Sequence, residues 1–193
     1  MADKKTIGKY KSYLKDNLSK KRYNHSVNVA NAAAKLAEKY DEDKDKAYLA
    51  GLLHDIAKEM PTKEQLELVK SSDLSVSEIE TKTTALYHAI AGAEFVQTLF
   101  DIHDPEIIGA IRYHTVACGN MSKLAQIIYL ADLISEDRDY KDVKKMRKYS
   151  EQSLEKGMFE ALRFSIADSV GKGNTIPVST LEAYNDFALI TKK

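Results

Sequence analysis

Apolar residues recur along most of this chain at the three- and four-residue spacing of a buried helix face, and almost nowhere at the alternating spacing of a strand. The first row is Ile7, Tyr10, Leu14 and Leu18. A second runs Val29, Ala33, Leu36 and Ala37. One turn before it stands His25, which therefore points the way the core does. Residues 45–58 are apolar nearly all round, which predicts a central helix with neighbours on several sides, ending where Pro61 restricts Met60. Thr62 and Gln65 fit a capping box for a short helix, and the serine-rich stretch 71–77 predicts a loop and turn region.

A longer helix is predicted from Thr83 to Phe100, with Leu86, Ile90, Ala93 and Leu99 as its apolar face. Beside that face Ala85, His88 and Gly92 form a row whose small members admit close approach of another element. Asp104 and Pro105 make a helix start, the aspartate as N-cap and the proline in the first turn, after which Ile107, Ile111 and His114 share one face. In the next helix Leu124, Ile128 and Ala131 lie on one stripe, and Asp132 lies on it too. Leu154, Met158, Ala161 and Leu162 predict a further amphipathic helix stopped by Gly171 and Gly173, and Thr180 is positioned to cap a final helix over 181–191. The pattern predicts an all-α bundle of about eight helices. We expect one domain over 1–193, with a core motif region at 20–140 and C-terminal helices over 141–191 completing the bundle and its pocket.

Composition agrees with a helix-rich folded chain: 44% of residues are hydrophobic and 30% charged, with only three prolines and eight glycines. Lys plus Arg equals Asp plus Glu at 29 each, so no global field recruits nucleic acid or an anionic membrane, and any phosphate binding must be local. No apolar stretch approaches the roughly 20 residues a membrane span needs. The start MADKKTIGKY lacks a signal-peptide core, and the single Cys118 excludes an intramolecular disulfide. Together these predict a cytoplasmic protein.

Against the apolar pattern, the adjacent pair His54-Asp55 is out of place at the end of the run Ala47 to Ile56. Burying a carboxylate or imidazole without a partner costs several kcal/mol. A lone histidine on an apolar face is ordinarily a satisfied core residue. Here four of the five histidines (25, 54, 88 and 114) and two aspartates (55 and 132) lie on or beside the apolar faces of five predicted helices. Six such groups together point to a divalent metal ion, and imidazole with carboxylate suits iron, manganese or zinc. The absence of a cysteine cluster argues against a structural zinc site. His103 and Cys118 match no ligand position and read as a loop histidine and an inert thiol.

The segments around these residues are RYNHSVNVANAAAKLA at 22–37, GLLHDIAKEM at 51–60, LYHAIAGAEF at 86–95, IRYHT at 111–115 and MSKLAQIIYLADLISEDR at 121–138. Their order resembles the HD-domain metal-dependent phosphohydrolases, an all-helical superfamily, and within it the YqeK-type branch of symmetrical diadenosine tetraphosphate hydrolases. The resemblance implies an iron held by His25, His54, Asp55 and Asp132, cleavage of diadenosine tetraphosphate into two ADP, and a homodimer. It implies that His88 and His114 either ligate a second metal or face the nucleotide phosphates, and that Asp55, His88 and His114 take part in catalysis. Arg22 and Arg138 match positions that resemble phosphate contacts, and Thr180 falls on the nucleotide side. Lys58 is either a further anion partner or a cation at the C-terminal end of its helix.

Two loops depart from the branch. Val116-Ala117 follows His114-Thr115 where the branch has Thr-Gly, and Pro177-Val178 stands where it has His-Pro. Both loops are expected near the nucleotide, so two other readings stay open: hydrolysis of a different nucleotide, such as a dNTP or a guanosine-based messenger, and a nucleotide or metal sensor without turnover.

Overall fold

The periodic rows wind into eleven α-helices and one 3-10 turn, with no strand among the described residues, in a computed structural model that describes residues 4–191. Residues 1–3 and 192–193, the ends of the expected domain and of its start MADKKTIGKY, lie outside the described residues. In chain order α1 is Lys4–Asn17, α2 Lys20–Lys39, α3 Lys44–Leu53, α4 Thr62–Ser71, α5 Glu78–Lys82 and α6 Tyr87–Phe100. Then follow α7 Pro105–Tyr113, α8 Lys123–Ile134, α9 Val143–Gln152, α10 Leu154–Gly171 and α11 Val178–Thr191. No helix is long and apolar enough to cross a membrane among the described residues.

Local chemistry sets the helix starts. Ser19 caps α2 by accepting from the Arg22 amide, and Asp43 caps α3 by accepting from the amides of Asp45 and Lys46. Asp104 caps α7 as predicted, accepting from the Glu106 and Ile107 amides with Pro105 in the first turn. Helix α2 packs on α3 and α8, and α7 packs on α3, α6 and α8, so α2, α3, α7 and α8 enclose the middle of the molecule. Leu124, Ile127, Ile128 and Leu130 of α8 are wholly buried there, in a contiguous core that reaches from Tyr10 to Phe187. Helices α2 and α3 approach closely at Gly51, where a Cβ would stand 3.0 Å from the Ala30 Cα. At Gly92, where close approach was expected, an added methyl would meet Ile56 at an ordinary 3.5 Å.

Several expectations are corrected. The central helix stops at Leu53 and not at residue 58. The chain continues in tight turns, with the Ile56 amide on Leu53 O, Lys58 on Asp55 O and Met60 on Ala57 O. At that stop the His54 ring takes the Gly51 carbonyl, the acceptor a further helical turn would use. Thr62 and Gln65 make no capping box: Pro61 is the N-cap residue, and the Gln65 amide instead donates to Met60 O at 2.7 Å. Thr83 is extended, a 3-10 turn occupies Thr84–Leu86, and α6 begins only at Tyr87. On α6 Val96 is buried, whereas Leu99 is 43% exposed, so the inner row ends at Val96. The final helix starts at Val178, which puts Thr180 inside its first turn. There Thr180 is buried and donates to Val116 O at 2.6 Å in place of capping. Helices α5 and α9 were not expected; α9 buries only Val143, Met146 and Ser150 on an otherwise basic helix.

Candidate metal centre

Five elements bring the His and Asp side chains to one place. His25 comes from the first half of α2, His54 and Asp55 from the turn after α3, His88 from the start of α6, His114 from the end of α7 and Asp132 from the last turn of α8. The Asp55 carboxylate lies at the centre and divides the others between its two oxygens. Its Oδ2 faces Arg22 Nη1 at 2.6 Å, His54 Nε2 at 3.4 Å and His25 Nε2 at 4.0 Å. Its Oδ1 faces His88 Nε2 at 3.5 Å and His114 Nε2 at 3.6 Å. Asp132 closes the first side, with Oδ1 at 2.9 Å from His25 Nε2 and 3.8 Å from His54 Nε2.

Three of the four histidines are aimed by the same device. His54, His88 and His114 each donate Nδ1–H to the carbonyl three residues earlier, at Gly51 (2.8 Å), Ala85 (3.0 Å) and Ile111 (2.7 Å). That bond turns each Nε2 toward Asp55, where it can ligate a metal ion. His54 is fully buried and its Nε2 has no hydrogen-bond partner, a state that costs roughly 1–3 kcal/mol unless a ligand answers it. Donor atoms of His25, His54 and Asp55 lie within 4.8 Å of one another, as do those of Asp55, His88 and His114. Separations such as the 3.4 and 4.0 Å from Asp55 Oδ2 to His54 and His25 are within reach of donors sharing one ion at bond lengths of about 2.0–2.2 Å, so the residues present fit a divalent metal.

The family pattern described as "HD domain" matches residues 22–137. The chain belongs to the HD-domain family. Among curated relatives it is 35% identical over 185 residues to a symmetrical bis(5'-nucleosyl)-tetraphosphatase of Halalkalibacterium halodurans, covering 96% of this chain and 98% of that one. A second protein of the same description, from Bacillus subtilis, is 32% identical over 172 residues, or 89% and 92% of the two chains. In three dimensions the chain superposes with a TM-score of 0.90 on an HD superfamily hydrolase of Clostridium acetobutylicum described as involved in NAD metabolism. The two share 34% identity over 97% and 98% of their lengths.

Within this HD-domain cluster the charges are ordered. Burial opposes the charged form of His54, but the Asp55 carboxylate outweighs it and raises the pKa. Burial also opposes ionised Asp55, yet the His54 and His114 rings hold its carboxyl well below the usual range. Asp132 is likewise lowered, the His25 hydrogen bond and the charges of His54 and Arg138 overcoming desolvation. His88 moves the other way: burial, then His114 and Lys58, push it down to about 3, so the ring is neutral at pH 7. Lys58, itself lowered by burial, has its Nζ 3.0 Å from His88 Nε2.

Arg22, Lys58 and Arg138 therefore lie on the cluster, Arg138 donating through Nη2 to Asp132 Oδ1 and through Nε to Asp132 O. Thr180 makes no hydrogen bond to the cluster. It lines a cavity of about 110 Å³ with Leu86, Thr115, Val116, Ser165 and Pro177, and Thr115 Oγ1 stands 3.3 Å from His88 Nε2. Grooves of about 560 and 610 Å³ elsewhere contain none of the six cluster residues, so chemistry and not volume marks the site. His103 pairs with exposed Asp101 and Cys118 is half-buried, both outside the cluster as expected.

Two contributors carry no periodic signal. Asp137, in the turn after α8, accepts from His25 Nδ1 at 2.8 Å. Glu59 accepts from the Ser19 amide at 2.6 Å and from the Ser19 hydroxyl at 2.7 Å, tying the His54-Asp55 turn to the start of the helix that bears Arg22 and His25.

Proposed function

We propose that this protein hydrolyses diadenosine tetraphosphate symmetrically to two ADP with the aid of one bound divalent metal, iron for preference and manganese or zinc as substitutes. The observation that carries the reading is the buried, partnerless His54 Nε2 facing Asp55 within a His-Asp cluster, in a chain that matches symmetrical tetraphosphatases over nearly its full length. His25, His54, Asp55 and Asp132 would hold the ion. When bound, such an ion lowers the pKa of water and polarises a phosphoryl oxygen.

The remaining groups act on the tetraphosphate. Lys58 sits on His88 Nε2 at 3.0 Å, where an ammonium competes with a second cation, so His88 and His114 are read as facing phosphate oxygens. Arg22 and Arg138, with side chains 28% and 37% exposed, present guanidinium edges at the rim for the same purpose. Water adds to one of the two inner phosphorus atoms, the central P–O–P link breaks on the far side, and ADP departs as an anion neutralised by these cations. The proton lost by water passes to solvent. Asp55 orients the attack, and His88 and His114 act on the transferring group, the neutral His88 through the Lys58 ammonium 3.0 Å from its Nε2. The cavity bearing Thr115 and Thr180 is read as the nucleoside side of the site.

The same reading holds one HD domain over 1–193, supported by the contiguous core from Tyr10 to Phe187. It holds a cytoplasmic protein that binds neither nucleic acid nor membrane, supported by the balanced charge of 29 against 29. A homodimer is also part of it, supported by exposed Val178, Leu181, Leu189 and Ile190 on α11. Val116 and Pro177, where the chain departs from its branch, line the cavity and favour testing other nucleotides beside diadenosine tetraphosphate. Iron-loaded protein incubated with diadenosine tetraphosphate, dNTPs and guanosine polyphosphates is expected to yield ADP alone from the first, and the products separate by ion-exchange chromatography. An intact dinucleotide after hours at stoichiometric enzyme would sink the proposal.

A further inference from the structure

His25 is the one cluster histidine that cannot use the backbone device of the others. His54 and His114 follow directly on the last residues of α3 and α7, and His88 follows a 3-10 turn, so a carbonyl three residues back is free to accept from each Nδ1. His25 instead stands inside the 20-residue α2, where carbonyls are committed to amides four residues on. Its Nδ1 therefore needs an acceptor from another element, and Asp137 supplies one at 2.8 Å. The turn carrying Asp137 is not a free loop. Arg147 of α9 donates through Nε to Ile134 O at 2.9 Å, and through Nη2 to Ser135 O at 2.7 Å and Arg138 O at 3.1 Å. The Arg138 amide closes the turn on Ser135 O at 3.1 Å.

We infer that Asp137 is a positioning residue that fixes the ring of His25 with Nε2 toward the metal, and that Arg147 holds the turn from which it acts. The inference rests on the metal-dependent reading of the site. A carboxylate on the far nitrogen of a metal-ligating histidine sets the tautomer and the ring plane, and its loss typically weakens metal binding about 10- to 100-fold. An acid merely solvated at the surface would have no such effect. Arg147 would act at one remove, through the three carbonyls it holds.

The test is titration of the full-length, metal-free protein with Mn²⁺, read by the electron paramagnetic resonance signal of the free ion, with no substrate present. Asp137→Ala is expected to bind about 10- to 100-fold more weakly than the wild type. Asp137→Asn, which keeps an acceptor oxygen for His25 Nδ1–H, is expected to fall between the two. Metal-free melting temperatures are expected to be equal for all three, which separates positioning from general loss of fold. Arg147→Met is expected to weaken Mn²⁺ in the same direction while leaving Asp137 in place. Binding by Asp137→Ala within about twofold of the wild type would overturn the inference and leave the metal-dependent reading standing. So would equal weakness of the Asn and Ala variants, because the acceptor oxygen would then not matter. No Mn²⁺ binding by the wild type would overturn both.

Discussion

Two buried clusters of charge in this molecule have opposite construction. Arg112 of α7 and Glu80 of α5 are each about 3–4% exposed in their side chains and stand 2.7 Å apart. Arg112 Nη2 also donates to Ser75 O at 2.7 Å, and Glu80 Oε2 accepts from the Ser77 amide at 2.9 Å and from its hydroxyl at 2.8 Å. Opposite charges meet one to one, and the result pins the 72–83 segment to α7. In the His-Asp cluster four imidazoles crowd two central carboxylates, and His54 Nε2 is left without a partner. Burial of charge alone does not mark a functional site. Glu80 Oε1 and Arg112 Nε also lack a hydrogen-bond partner, but there a guanidinium faces a carboxylate, whereas in the His-Asp cluster several imidazoles and carboxylates converge on one point that an added cation would complete.

The largest effect should come from breaking each cluster in turn. Asp55→Ala removes the carboxylate shared by the four histidines, and we expect ADP release from diadenosine tetraphosphate per folded molecule to fall by at least about 10³-fold. The surrounding cations hold Asp55 ionised, so its removal also costs some stability, and turnover is therefore read per folded molecule. Glu80→Ala should do the reverse. It strands a buried guanidinium and should cost about 3–5 kcal/mol in urea unfolding, with kcat per folded molecule unchanged. Joint replacement by Arg112→Met and Glu80→Leu should recover most of that loss. If Asp55→Ala unfolded the protein while Glu80→Ala abolished turnover, the comparison would be inverted.

Sequence periodicity reached the open cluster far better than the closed one, for a physical reason. His25, His114 and Asp132 fall on rows of three- and four-residue spacing, and His54-Asp55 ends an apolar run, so the helix pattern itself exposes them. Asp104-Pro105 was legible because a cap is a local interaction among neighbours. Glu80 lies in a five-residue helix opened by a Ser77–Glu80 capping box, and its partner Arg112 is 32 positions away. Neither belongs to a row, and periodicity carries no record of a pairing across the fold. Asp137 and Glu59 are hidden for the same reason, since each acts from a turn on a distant helix. The excess length given to the central helix came from reading apolarity as helix, where His54 and Asp55 occupy turns.

Gly51 joins packing to the open cluster and should show the next largest effect. Its absent side chain lets α2 and α3 touch, and its carbonyl holds His54 Nδ1 at 2.8 Å. A methyl there would stand 3.0 Å from Ala30 Cα and 3.1 Å from Ala30 N, atoms of backbone that cannot swing aside. Gly51→Ala should cost about 1–3 kcal/mol by overpacking and should also weaken Mn²⁺ binding, because the shift moves the His54 ring relative to His25. Gly92→Ala, with its nearest neighbour at 3.5 Å, should leave both quantities nearly unchanged. Equal stability of the two variants would remove the α2–α3 contact from the account of the site.

The smallest effect calibrates both clusters against a pair that water reaches. Asp104 is about 30% exposed, accepts from the α7 amides and pairs with Lys46 at 2.7 Å. The Lys46 hydrogen bond, aided by those amides, holds the Asp104 carboxyl below its usual value. A depressed acid contributes stability that is fully present above its unfolded pKa and is lost as pH falls through the folded one, so the window lies below about pH 4. Asp104→Asn keeps the cap and loses the pair, which should cost only about 0.2–1 kcal/mol at pH 7. Asp104→Ala loses the cap as well and should cost about 1 kcal/mol more. As pH drops from 5 toward 2, the wild type and Asp104→Asn should converge in urea midpoint, because the protonated acid no longer pairs with Lys46. A gap that stayed constant to pH 2 would mean that the carboxylate charge contributes nothing, and that desolvation is what gives charge its weight in the two buried clusters.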